Sequence, residues 1–152
     1  MIPKLEDGVL PEGVHQCSLD EVESVFGRFR STERRPLLTA KLRAYISELR
    51  RLQLAVAIVV DGSYVTSKSN PGDIDLILVL KTTLDPALEM VPSEYNVLSK
   101  RMVKKRYGFD VLSAADGSQA YRDLLEFFSN VRPDDPEQAT NRRKKGLLKV
   151  EL

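Results

Sequence analysis

The chain has 152 residues, 42% of them hydrophobic and 30% charged, with a formal net charge of +1. That length predicts one domain with a proper core, and the near-zero charge excludes a global field favouring nucleic acid or a membrane surface. A lone cysteine, Cys17, excludes an intrachain disulfide, and a lone histidine, His15, excludes a histidine-based triad or multi-histidine metal site within one chain. No apolar run approaches the ~20 residues of a membrane span, and the N-terminus lacks a signal-peptide pattern, so a cytoplasmic protein is expected.

Taken in order, residues 1–17 contain Pro3, Gly8, Pro11 and Gly13 without periodicity and read as an irregular arm. Ser18 and Glu21 form a capping box that opens a short helix to Phe26, stopped by Gly27. Arg28 to Arg35 is a link with four arginines, either solvated or in contact with an anionic ligand. Pro36 suits the first turn of an amphipathic helix running to about Gln53 through Leu38, Leu42, Tyr45, Ile46 and Leu49. Ala55 to Val60 is a β-branched run and reads as a buried strand. The loop Tyr64 to Gly72 follows a Gly62-Ser63 turn. In it, Lys68 is either a point charge for a phosphate or an ordinary exposed lysine. Tyr64 either stacks on a base or covers the turn.

Asp73 to Leu80 reads as a central strand, followed by a short helical turn near Pro86 to Met90. One helix is expected from Ser93 to Gly108. It carries Lys100, Arg101, Lys104, Lys105 and Arg106 on one side, either a solvated face or a phosphate- or RNA-binding one. Phe109 to Ala114 is a third strand, and Ser118 caps a helix through Tyr121, Leu124, Leu125 and Phe128. A turn-rich link, Arg132 to Asn141, leads to the basic run Arg142 to Lys145 and a final edge strand, so 142–152 form a basic segment and an edge strand. The basic run alternatively marks a partner surface.

The chemistry concentrates between Val60 and Asp75. Strand alternation puts Asp73, Asp75, Ile77 and Val79 on one face, with the two carboxylates roughly 7 Å apart. Carboxylates that close raise each other's pKa. A divalent cation with a preference for oxygen, such as Mg²⁺, relieves the repulsion. Gly62 permits close backbone approach, and the turn's N–H groups with the Ser63 hydroxyl suit an anion. The plainer alternative is a solvated strand start in which Asp73 ends the Pro71-Gly72 turn. Asp61 reads only as a brace for the turn.

An apolar strand, Gly62-Ser63, a loop of about ten residues and Asp73-Ile74-Asp75 opening a second strand together resemble the signature of the polymerase-β-like nucleotidyltransferase superfamily, in its minimal form. The chain is also similar to a small bacterial family marked by an Asp-Gly-Ser-aromatic-Val-Thr loop, a Pro-Gly-Asp-Ile-Asp strand start and a C-terminal Lys-Gly-apolar strand. The resemblance implies an α+β (mixed α/β) nucleotidyltransferase fold, a small mixed sheet flanked by helices. It implies a third carboxylate, matched by Asp110, and a two-metal Mg²⁺ site on Asp73, Asp75 and Asp110. It also implies an NTP substrate held by Gly62 and Ser63, and transfer of an NMP, most often AMP from ATP, to a hydroxyl of a protein, RNA or small molecule. Relatives of this kind occur in toxin–antitoxin and phage-defence pairs. A chain this short has no room for a separate acceptor domain, which implies a protein partner or second subunit. The alternative is an inactive binding protein or antitoxin on the same fold.

Overall fold

The computed structural model describes residues 1–28, 32–84, 90–131 and 143–152. Local sequence signals account for most helix ends. Ser18 accepts a hydrogen bond from Glu21 N (3.1 Å) and donates its own N–H to Glu21 Oε2 (2.8 Å), opening helix α1, Leu19–Phe26. Helix α2 runs Arg34–Leu52, with Pro36 in its first turn, and ends where Gln53 turns left-handed (φ 54°). Its Leu38, Leu42, Tyr45, Ile46 and Leu49 are buried at helical spacing.

The five strands are β1 (Gly13–Cys17), β2 (Ala55–Asp61), β3 (Asp75–Leu80), β4 (Asp110–Ala115) and β5 (Gly146–Glu151), in sheet order β1-β5-β2-β3-β4. β2 is antiparallel to both β3 and β5, whereas β1 runs parallel to β5 and β3 parallel to β4. The class is therefore α+β with a mixed sheet. One face, with Ile58, Val60, Leu76, Leu78, Leu148 and Val150, packs on α1, α2 and the two helices between β3 and β4, α3 (Pro92–Leu98) and α4 (Lys100–Tyr107). The other, with Ala57, Val59, Ile77, Val79 and Leu147, packs on α5, Gln119–Ser129, through Tyr121, Leu124, Leu125 and Phe128.

Four expectations change. The last five residues of the supposed irregular arm form β1, an edge strand in register with β5 from Gly13↔Gly146 to Cys17↔Val150. The C-terminal strand is consequently interior, between β1 and β2, and Leu147, Leu148 and Val150 are buried on its two faces. β3 starts at Asp75, so Asp73 lies in the turn before it. The helix expected over 93–107 breaks at Ser99, whose extended backbone (ψ 124°) closes α3 while its hydroxyl accepts from Met102 N and caps α4. A serine hydroxyl that can cap a new helix competes with continuing the old one. The short turn expected at 86–90 (apart from Met90), the link 132–141, and Arg30 and Arg142 of the two basic stretches lie outside the described residues.

Candidate active site

Sheet register builds the site. β2 ends at Asp61, opposite Asp75 at the start of β3, and Asp75 pairs with Asp110 at the start of β4. Register partners on adjacent strands point to the same face about 4.8 Å apart. Asp61, Asp75 and Asp110 thus form one row across the rim of the sheet, on the α5 side. That rim borders an open cleft of about 790 Å³, which Gly62, Ser63, Lys68 and Asp73 also line. All six residues singled out in the sequence therefore meet in one place. The apolar side of the cleft comes from Phe127 and Phe128 at the end of α5.

The Gly62-Ser63 turn is tied to Asp73. Ser63 donates its N–H (3.0 Å) and its hydroxyl (2.6 Å) to Asp73 Oδ1, and its hydroxyl oxygen accepts from Gly72 N (3.0 Å). The close approach that Gly62 allows is to the chain itself: a Cβ there would lie 3.0 Å from Asp75 N and 3.1 Å from Asp73 O. Its φ of 90° with ψ of −178° belongs to a region essentially reserved for glycine. Gly62→Ala is expected to cost about 2–3 kcal/mol, lowering the melting temperature by about 5–10 °C for a chain of this size. A calorimetric scan showing no loss would contradict the packing described here.

Two arginines of the supposed link hold the loop from behind. Arg35 is fully buried and donates to four carbonyls: Phe26 O (3.1 Å), Tyr64 O (2.6 Å), Thr66 O (2.8 Å) and Lys68 O (2.6 and 3.2 Å). Arg34 donates to Pro71 O (3.1 Å) and Gly72 O (2.7 Å). Neither is solvated linker, because α2 starts at Arg34 and packs against the loop. Tyr64 is buried too, its hydroxyl 2.6 Å from Thr39 Oγ1, so it covers the turn and does not line the cleft.

The carboxylates differ in electrostatics. The Asp75 carboxylate, in the middle of the row, makes no hydrogen bond or ion pair with a described side chain. Its pKa is pushed up to about 6 by burial first, then by Asp73, Asp61 and Asp110, with Lys145 partly offsetting them. Burial also raises Asp61, although Lys145 Nζ lies 2.7 and 2.9 Å from its two oxygens. Asp73 is likewise pushed up by burial, but the Ser63 hydroxyl and N–H, with Lys68 and Lys145 nearby, bring it below its ordinary value. Asp110 is exposed and paired with Lys104 at 3.1 Å.

As the side chains stand, no three His, Cys, Asp or Glu among the described residues could hold a metal ion. Magnitudes show which partnerships can open. The Lys104–Asp110 pair, more than half exposed on both sides, is worth at most about 1 kcal/mol, and a divalent cation would displace it. Breaking a buried pair by removing one partner costs about 3–5 kcal/mol, so Asp61 is committed to Lys145. The oxygen donors Asp73, Asp75 and Asp110 suit Mg²⁺ chemically, and the raised pKa of Asp75 marks the charge that a cation would neutralise.

Asp61 and Lys145 are the residues that the sequence reading undervalued. Alternation from Ala57 and Val59 would have put Asp61 on the Asp75 face. Lys145 gives no comparable local signal, because its place depends on β5 lying beside β2. Where the basic run is described, its side chains have partners within the chain. Arg143 bonds Asp7 Oδ2 (3.1 Å), Lys144 pairs with Glu126, and Lys145 pairs with Asp61. On α4, Lys100, Arg101, Lys105 and Arg106 are exposed.

Together these features define an α+β protein whose mixed sheet carries an acidic rim facing a cleft. The chain belongs to the family of unknown function DUF6932, whose model matches residues 3–151. No curated protein matches it, and no solved structure does. Among the described residues, no helix is long and apolar enough to cross a membrane.

Proposed function

We propose that the protein is a metal-dependent nucleotidyltransferase of the polymerase-β-like type, moving an NMP, first of all AMP from ATP, to a hydroxyl of a protein or RNA acceptor. The observation that carries this reading is the register Asp61↔Asp75↔Asp110, with Asp73 and the Gly62-Ser63 turn lining the same cleft. A third carboxylate far from Asp75, or on the opposite face, would have removed its basis.

In this reading Asp73, Asp75 and Asp110 hold Mg²⁺, while Gly62, Ser63 and Lys68 face the triphosphate. Bound there, Mg²⁺ offsets the charge that gathers on phosphoryl oxygens. The acceptor hydroxyl oxygen bonds to the α-phosphorus, and the bond from that phosphorus to the bridging oxygen of the β-phosphate breaks. Pyrophosphate leaves with the electron pair, and the hydroxyl proton passes to the Asp110 carboxylate. The exposure of Asp110 leaves it reachable by a large acceptor. A toxin–antitoxin or phage-defence setting, a protein partner and a cytoplasmic location come with the resemblance and belong to the proposal.

Incubating the protein with α-³²P-labelled ATP, GTP, CTP or UTP, Mg²⁺ and a cell lysate tests it. Label is expected on a protein or RNA band, and Asp73→Ala with Asp75→Ala is expected to abolish it. Label that survives the double substitution overturns the mechanism.

The pairing of Asp110 with Lys104 and of Asp61 with Lys145 supports a second reading, a non-catalytic binding protein or antitoxin on this fold. Copurification of a stoichiometric partner without any label transfer would favour it.

A further inference from the structure

Lys145 lines the cleft beside the Gly62-Ser63 turn, yet only 16% of its side chain is exposed. Its ammonium has three N–H donors. Two reach the two oxygens of Asp61, and no described residue accepts the third. The cleft's other donors are engaged with their own partners or less fixed. The Ser63 N–H and hydroxyl both point to Asp73, Lys104 pairs with Asp110, and Lys68 is exposed. Lys145 is therefore the cationic donor whose position is set by two independent contacts. The end of α5 fixes its backbone, with Lys145 N donating to Ser129 O (2.8 Å), and buried Asp61 fixes its tip.

A wholly structural ion pair would be satisfied by burying both groups together away from the cleft. Here the pair stands at the inner end of the carboxylate row, where a lysine acts as a point charge for phosphate. We propose that Lys145, positioned by Asp61, is a phosphate-binding residue of the cleft, donating its third N–H to an oxygen of a Mg²⁺-bound polyphosphate. This rests on the reading of the cleft as a nucleotide site. Asp61 is the positioning residue and Lys145 the contact. Four carboxylates line the same cleft, so the anion enters with its cation.

Calorimetric titration of the full chain with Mg²⁺ and α,β-methylene-ATP, and separately with Mg²⁺ and inorganic tripolyphosphate, tests this. Lys145→Met is expected to weaken both by at least about 10-fold and to lower the melting temperature, because Asp61 is left unpaired. The double variant Asp61→Asn with Lys145→Met separates the two effects: the melting temperature returns towards wild type while binding stays weak. Wild-type affinity in that double variant overturns the proposal and leaves the nucleotidyltransferase reading standing. Tripolyphosphate binding that depends on Lys145, without any nucleotide binding, keeps the phosphate site and overturns the nucleotide reading. A wild-type protein that binds neither overturns both.

Discussion

Asp75→Asn is expected to raise the melting temperature of the metal-free protein at pH 7.5 while cutting label transfer at least about 10³-fold. The opposed signs share one cause. With its pKa raised to about 6 from 3.8, the folded state holds a proton that the unfolded state has released between those values. Stability therefore falls as pH rises through that window, and the penalty is complete above it. A shift of that size corresponds to about 3 kcal/mol. The group is partly exposed, so solvent screening leaves about 1–2 kcal/mol, or about 3–6 °C for a chain of this length. Asparagine removes the charge and the penalty together, and with them the central anionic ligand of the proposed metal site. Melting curves from pH 4 to 8 check the prediction. The wild type should lose stability relative to Asp75→Asn between pH 4 and 6 and hold a constant deficit above. Saturating Mg²⁺ should narrow the gap by stabilising the wild type alone. An Asn variant that is less stable than wild type at pH 7.5 would mean that Asp75 already has a stabilising partner.

The second large effect lies behind the site. Arg35→Ala strips four carbonyls of their donor and leaves a cavity under the loop. Orphaned buried acceptors cost about 1–3 kcal/mol each, and relaxation with water entry reduces the sum to about 3–5 kcal/mol, on the scale of a broken buried network. The expected loss is about 10 °C or more in melting temperature. Arg35→Lys should lie between, since a point charge cannot serve four acceptors spread around a planar fork. Phe26 and the loop from Tyr64 to Lys68 share this one guanidinium. Hydrogen exchange in the loop should therefore accelerate in Arg35→Ala more than in the sheet. Uniform acceleration would show that Arg35 supports the whole fold and not the loop in particular.

These two residues mark where sequence reasoning succeeds and fails. Asp75 was legible because an apolar strand carrying carboxylates at a two-residue step violates the pattern around it. Asp110 was matched only through the family resemblance, which implies a third carboxylate, and the register then put it beside Asp75. Arg35 was illegible. Four arginines within eight residues look like solvated charge, and no local rule announces that one of them will be buried. Ser99 is an intermediate case: its capping role needs only itself and Met102, but the apolar spacing on either side suits a continuous helix equally well.

Local chemistry in the chain was enough to determine most of the capped helices and the apolar strands, because those depend on groups within a few residues of one another. It also marked Asp73, Asp75 and the Gly62-Ser63 turn as one candidate site, whereas Asp110 came with the family resemblance and Asp61 with the sheet register. Tertiary structure alone decided that the C-terminal strand inserts between β1 and β2. That insertion carries Lys145 across 84 residues of sequence to Asp61. Pairing partners at that separation are chosen by which buried faces and backbone hydrogen bonds are satisfied together, a property of the assembled sheet and of no single stretch.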